Sequence, residues 1–261
     1  MLTFVGLGLY DERSVTIRGR EAIRGADRVF AEWYTSHLAG ATVAKLESYH
    51  DTDIEVRDRA GVEQDPEPIL SAAREGQAVF LAAGDTMIST THVDLRLRAH
   101  ERGIDTRIVH GTTAQSAASG LSGLQNYRFG KATTLPFPGS HGGSGVPDSV
   151  LETIDANRER GLHTLVYLDI KADRGAYMTA DRGAGLLADA HGDDLGVAIA
   201  RAGSDDPAIA ADRLGALAER EFGDPLHLLV VPGELHHVEA DALAELAGAS
   251  EGVLESDRSG G

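Results

Sequence analysis

Two short loops hold the residue types best suited to chemistry. The first, "VGLGLYDE" from Val5 to Glu12, follows the apolar opening Met1–Phe4 and sets Gly6 and Gly8 as the first two glycines of a dinucleotide-binding turn. A GxGxxG turn requires Gly or Ala at position 11, where this chain has Asp11, whose carboxylate repels a pyrophosphate at a helix N-terminus. The loop is therefore not built for a phosphate. The second, "LAAGDTMISTTH" from Leu81 to His92, runs from an apolar segment into a small-residue turn. Gly84 lets a ligand approach the backbone, and Asp85 can accept from a hydroxyl or an amine. A local role suits these residues as well, with Asp85 or Thr90 capping a helix, and both readings stay open at this level.

Other constellations carry less. His236 and His237 beside Glu234 and Glu239 suggest a metal cluster, but adjacent histidines project differently and no third ligand stands at zinc spacing, so no metal is expected. Ser116 and Ser119-Gly120 lack the GxSxG elbow of a serine hydrolase. The chain has no cysteine, which removes disulfides, thiolate metal sites and cysteine nucleophiles together. His191 near Asp193 and Asp194 reads as a solvated turn. His227, inside "HLLVV", reads first as a hydrogen-bonded core histidine. Trp33 and Tyr34 suit either packing or substrate contact.

The elements that must position these loops alternate short aliphatic runs with amphipathic stretches, the pattern of an α/β protein. Strands are expected at Leu2–Val5, Arg28–Ala31, Ala41–Leu46, Ala78–Ala82 and Thr106–His110, with helices at Val15–Arg24, Pro66–Arg74 and His92–Arg102. A second series has strands near Ala132–Pro136, His163–Ile170, Gly196–Ala202 and His227–Val231, and helices near Ser149–Arg160, Met178–Ala190 and Pro207–Glu221. Pro136–Pro147, rich in Gly and Pro, reads as a loop. The expected organisation is an N-terminal parallel-sheet domain (1–110), a C-terminal mixed-sheet domain (111–247) and a flexible tail (248–261). Ligands of open parallel sheets sit beyond the carboxyl ends of the strands, which directs attention to the loops there and to a cleft between the two domains.

Composition sets the surroundings. With 41 acidic residues against 24 Lys and Arg, the net charge of −17 argues against a nucleic-acid partner, which needs a clustered basic face. Only Lys45, Lys131 and Lys171 are lysines, and acid excess with scarce lysine fits a halophile surface whose self-repulsion is screened by salt. A GC-rich genome would enrich Arg, Ala, Gly and Asp without any such selection. Apolar runs such as Leu226–Val231 fall far short of the roughly 20 residues of a membrane span. No signal-peptide pattern opens the chain, so a cytoplasmic location is expected.

The segments "LTFVGLGLYDERSVTIRGREAI", "AEWYTS", "GDTMISTTH", "VHGTTAQSA", "GLQNYRFGK", "LVYLDIKAD", "ARAGSDD" and "PLHLLVVPGELHHVEA" resemble, in order and over nearly the whole chain, the diphthine synthase branch of the tetrapyrrole-methylase-like S-adenosylmethionine methyltransferases. The GxG and GD loops are common to that superfamily, whereas "GLGLYDE", "YTS", "TTH" and "GLQNYRFGK" resemble this branch. The resemblance implies S-adenosylmethionine as cofactor, a molecule without a phosphate, which removes the puzzle of Asp11. It implies cofactor contacts by Leu9, Asp85 and Ile88 from the first domain, by Thr113 and Ala114 at the junction, and by Leu168, Ala202 and His227 from the second. Thr86, where such proteins usually have proline, and Gln115, where they have a larger apolar or aromatic residue, depart from the pattern.

The implied reaction is repeated methylation of the amino group of the modified histidine on translation elongation factor 2, by a homodimer from a haloarchaeon. An amine attacks only when unprotonated, and the sequence names no base for it. Two rival readings share parts of this frame: a methyltransferase acting on a tetrapyrrole ring, and a non-catalytic adenine-nucleotide-binding module.

Overall fold

The computed structural model describes residues 1–140, 143, 145–171 and 174–255. The chain divides into two compact units, Met1–Thr113 with Lys171–Gly175, and Ala114–Ile170 with Ala176–Gly261.

The first unit is built from β1 (Leu2–Gly6), α1 (Ile17–Arg24), β2 (Arg28–Glu32), α2 (Val43–His50), β3 (Ile54–Arg57), α3 (Arg59–Glu63), α4 (Glu67–Glu75), β4 (Ala78–Ala82), α5 (Val93–Glu101) and β5 (Thr106–Val109). Its five strands are all parallel, in the order β3-β2-β4-β1-β5. A parallel sheet is covered on both faces, which is why "LTFVG" and "AVFLA" read as continuous apolar runs and are buried at every position. Alternate residues serve alternate faces. Leu2, Phe4, Phe30 and Phe80 pack with Ile69, Leu70 and Leu95 of α4 and α5, while Val5, Val29, Val79 and Leu81 pack with Ile23 and Leu46 of α1 and α2.

The second unit contains α6 (Ala114–Ser122), β6 (Thr133–Leu135), α7 (Asp148–Arg158), β7 (Thr164–Leu168), β9 (Ala176–Tyr177), α8 (Ala180–His191), β10 (Leu195–Ala200), β11 (Ala208–Arg213), α9 (Leu214–Ala218), β12 (His227–Val231), α10 (His237–Ala247) and α11 (Glu251–Leu254), and β8 (Ile170–Lys171) is divided between the units at Lys171. Its five-stranded sheet has the order β11-β10-β12-β7-β6 and is mixed, with only β6 and β7 parallel. One face carries α7, α8 and α9 through Ile154, Leu187 and Leu217; the other carries α6, α10 and α11 through Ala118, Leu243 and Leu254.

Four expectations are corrected. Ala41–Leu46 is not a strand: Thr42 caps α2 by accepting from the Lys45 N–H, and Leu46 and His50, four apart, bury the helix. The strand of that region is β3, whose alternation Ile54-Glu55-Val56-Arg57 is short and half charged. Pro207–Glu221 is not one helix, because Ala208–Arg213 pairs antiparallel along β10 and leaves only Leu214–Ala218 helical. The run His163–Ile170 is divided between β7 and β8. Residues 248–255, expected as the start of a tail, include α11 with Leu254 at 1% exposure, and 256–261 lie outside the described residues. Pro136–Pro147 carries neither helix nor strand in its described residues.

One buried acid organises the second unit. Glu239, fully buried, accepts from the Gln125 N–H at 2.9 Å, from His163 Nε2 at 3.0 Å and from the His236 N–H at 2.9 Å, and lies 3.3 Å from the Arg128 guanidinium. The His236–Glu239 pair is a capping box at the start of α10. Burial alone would raise the Glu239 carboxyl, but these hydrogen bonds outweigh it and hold the group down at about 2.

A carboxyl held below its ordinary 4.5 contributes stability that is complete above that value and is lost as the pH falls towards 2. Glu239→Ala is expected to cost about 3 kcal/mol or more at pH 7, the scale of breaking one side of a buried ion pair. The cost should shrink in acid. Denaturant unfolding in molar KCl at pH 7 and pH 3 checks both, and an equal cost at the two pH values would contradict this account.

Candidate functional site

In the first unit, β1 and β4 are neighbours whose connections leave in opposite directions. The chain after β1 passes through α1 on one face to reach β2, and the chain after β4 passes through α5 on the other to reach β5. Such a switch point opens a crevice at the carboxyl ends of the strands. Both chemistry-bearing loops start there.

The crevice floor is main chain. Leu7 N–H donates to Ala82 O at 2.9 Å, Gly8 N–H to Gly84 O at 3.1 Å, and Gly84 N–H back to Gly8 O at 2.7 Å. Gly8 and Gly84 achieve this pairing at φ +79° and +68°, a region that suits glycine. A Cβ on Gly6 would stand 2.5 Å from Gly84 O, and one on Gly111 would meet the Gly6 carbonyl carbon at 2.8 Å and the Gly84 oxygen closer still. These glycines serve the approach of three backbones. Asp11 turns back on its own loop, where Oδ1 accepts from the Arg13 N–H at 2.9 Å and from Ser14 Oγ at 3.2 Å.

Asp85, 3% exposed, caps no regular helix, and neither does Thr90, since α5 begins after His92. Its Oδ1 accepts from the Met87 N–H at 2.8 Å; its Oδ2 accepts from the Gly111 N–H at 3.1 Å and from the His110 imidazole Nδ1 at 2.8 Å. The carboxylate thus ties the loop after β4 to the end of β5. Ile88 keeps 43% of its surface exposed beside it. Thr86 is fully buried, with its carbonyl accepting from Thr90 Oγ1 at 2.7 Å and from His92 Nδ1 at 3.0 Å and its hydroxyl without a partner.

Beneath this loop lies a pair that residue-level reading missed. Glu32, at the end of β2, accepts the Tyr34 and Thr35 N–H groups on Oε2 at 3.0 and 2.9 Å and faces His92 Nε2 at 3.8 Å with Oε1. Both side chains are 1% exposed. Burial pushes the Glu32 carboxyl up and the His92 imidazole down, each towards its neutral form. The signal was present as a glutamate closing the apolar strand "RVFAE". Tyr34 packs under the Arg59 guanidinium at 4.8 Å, Trp33 packs against the core, Phe137 is buried and Tyr127 is 79% exposed.

The expected cofactor residues fall into two groups. Leu9, Asp85, Ile88 and Thr113 belong to loops at the carboxyl edge of the first sheet. Leu168, Ala202 and His227 gather at one edge of the second sheet, where Ala200 is paired with His227 and Tyr167 with Leu228, and Ala114 opens α6. His227 is 4% exposed; its Nδ1 accepts from the Ala180 N–H at 3.0 Å and its Nε2 donates to Asp224 O at 2.9 Å. Burial lowers its pKa and keeps the ring neutral. His191, expected in a solvated turn, is 15% exposed and bridges Asp155 and Asp194 at 2.7 and 2.8 Å.

Residues 1–218 match the family model of the Tetrapyrrole (Corrin/Porphyrin) Methylases. The chain is 71% identical to a diphthine synthase of Halorubrum lacusprofundi, over 98% of this chain and 100% of that protein. It is 70% identical to one of Halobacterium salinarum, over 97% and 100%. A crystal structure of diphthine synthase superposes with a TM-score of 0.90 at 35% identity, covering 97% of this chain and 98% of that one.

The backbone approach at the switch point leads to a paired expectation. Gly111→Ala should cost about 1–3 kcal/mol, the range of overpacking against atoms that cannot yield. Gly120→Ala, inside α6 with nothing within 4 Å of its Cβ, should stabilise by roughly 0.5–1 kcal/mol. Chemical denaturation of the two variants in molar salt distinguishes them. A neutral Gly111→Ala would show that the three loops have slack.

Proposed function

The chain belongs to the tetrapyrrole methylase family, within its diphthine synthases, and from that premise we propose that its substrate is translation elongation factor 2 carrying the partly built diphthamide side chain. It is an S-adenosylmethionine-dependent methyltransferase of diphthamide biosynthesis. In this reading it methylates the amino group of the modified histidine, more than once, as a cytoplasmic homodimer. Among the described residues no helix is long and apolar enough to cross a membrane.

The observation that carries the reading is the chemistry of the switch-point loops. Residues 83–92 and 110–113 contain no lysine or arginine, and they offer main-chain carbonyls, the buried Asp85 carboxylate and the exposed Ile88 side chain. That donor set suits adenine and a sulfonium or ammonium, and it is wrong for a phosphate. The cofactor supplies a methyl group made electrophilic by the adjoining sulfonium. We assign Leu9, Asp85, Ile88 and Thr113 to hold it from the first unit, with Ala114, Leu168, Ala202 and His227 from the second. Leu9 and Ile88 offer apolar walls, and Asp85 has acceptor capacity left beyond its three protein donors. The protein's contribution is orientation and exclusion of water.

Label transfer from methyl-labelled S-adenosylmethionine to partly modified elongation factor 2, with uroporphyrinogen as control acceptor, tests the substrate. Transfer to the factor alone is expected, and transfer to the tetrapyrrole alone would overturn the assignment. For the cofactor, Asp85→Ala should weaken calorimetric affinity by roughly 1.5–3 kcal/mol, the scale of a lost hydrogen bond to a charged group. Unchanged affinity would leave Asp85 with its loop-tying role only.

A further inference from the structure

Methylation of an amine needs a proton acceptor, and each further round needs another deprotonation, because methyl transfer leaves the nitrogen positively charged. The acceptor must therefore be reset by solvent between rounds. This excludes most of the histidines around the two edges. His92 is 1% exposed and His50 is fully buried, while His227 has both ring nitrogens engaged. Glu32 and Asp85, at 1% and 3% exposure, are also shut away from bulk water.

His110 is different in each respect. It follows β5 at the carboxyl edge of the first sheet, next to Gly111, and its side chain is 73% exposed. Its Nδ1 lies 2.8 Å from Asp85 Oδ2. Asp85 is itself fixed by the Met87 and Gly111 N–H groups, so its orientation does not depend on the histidine. An ionised carboxylate only accepts, so Nδ1 carries the proton and the Nε2 lone pair is left for another group. Asp85 is the charged group hydrogen-bonded to the ring. From β1 the neighbours of Gly111 are the uncharged backbone atoms of Gly6.

Resting on the methyltransferase reading above, we propose that His110, oriented by Asp85, is the general base that deprotonates the substrate amine. An N–H bond of the substrate ammonium breaks, and its proton passes to His110 Nε2. The electron pair stays on the substrate nitrogen, which becomes the nucleophile. The imidazolium so formed keeps its Nδ1–H on the Asp85 carboxylate, which stabilises the positive charge, and then releases the Nε2 proton to water. Proton and charge balance is restored before the next round. The arrangement is that of a carboxylate–histidine dyad without a nucleophilic side chain.

His110→Gln removes the base from an exposed position without adding bulk. At pH 7 methyl transfer to elongation factor 2 should fall by about 10²–10⁴-fold, the usual contribution of a positioned base. The acid limb that the imidazole gives the wild-type rate profile should be replaced by one at the higher pH where the substrate amine loses its own proton. The deficit should narrow there, and added imidazole should partly restore the rate. Affinity for S-adenosylmethionine by calorimetry should stay within about twofold, and ¹⁵N spectra of the wild type should show the Nδ1–H tautomer at His110. An unchanged profile, or a cofactor affinity that falls in step with the rate, overturns the base assignment while the methyltransferase reading stands. Absence of transfer by the wild type to the factor removes both.

Discussion

Two connections that leave adjacent strands for opposite faces of one sheet create the space on which the rest depends. β1 and β4 run side by side, yet the loops that follow them diverge towards α1 and α5 on opposite faces of the sheet. Every group assigned to the first unit's site lies on these two loops or at the end of β5, the other neighbour of β1. The strand order is thus more than scaffolding. It decides which three backbones meet, and glycine at 6, 84 and 111 is the local condition for their meeting.

Buried acids are used as fasteners inside a very acidic chain. Asp85 joins the loop after β4 to the end of β5, Glu32 holds the turn of Tyr34 and Thr35 beneath the same loop, and Glu239 joins the start of α10 to β7 and the Gln125–Arg128 segment. Each accepts main-chain N–H groups; Asp85 and Glu239 also accept from a histidine, while Glu32 faces His92 across 3.8 Å without a hydrogen bond. Hydrogen bonds of this kind lie out of reach of solvent ions, whereas exposed pairs such as Arg28–Glu55 contribute little and are screened in salt.

Much of this was legible in the residues. Continuous apolar runs at 2–6 and 78–82 identified the central strands. The misses share a cause, which is that short segments are decided by partners distant in sequence. Ala208–Arg213 has the composition of a helix but is claimed by β10 as a sheet edge, and Thr42-Val43, β-branched like a strand, instead caps and opens α2. The tie between Gln125 and Glu239 spans 114 positions, and no spacing rule reaches that far. His110 passed unnoticed because its significance depends on Asp85, 25 residues earlier.

The reciprocal bonds between Gly8 and Gly84 also bear on how such a protein can diverge. They are made by peptide groups, which a change of side chain neither removes nor redirects, short of introducing proline or displacing the glycines themselves. Inherited variation is thereby steered to the rim, to positions such as Leu9 and Ile88, where a new side chain alters what is gripped without disturbing the frame. Lineages built on this hydrogen-bonded frame are free to drift in composition, and even in ligand preference, while the geometry beneath stays constant.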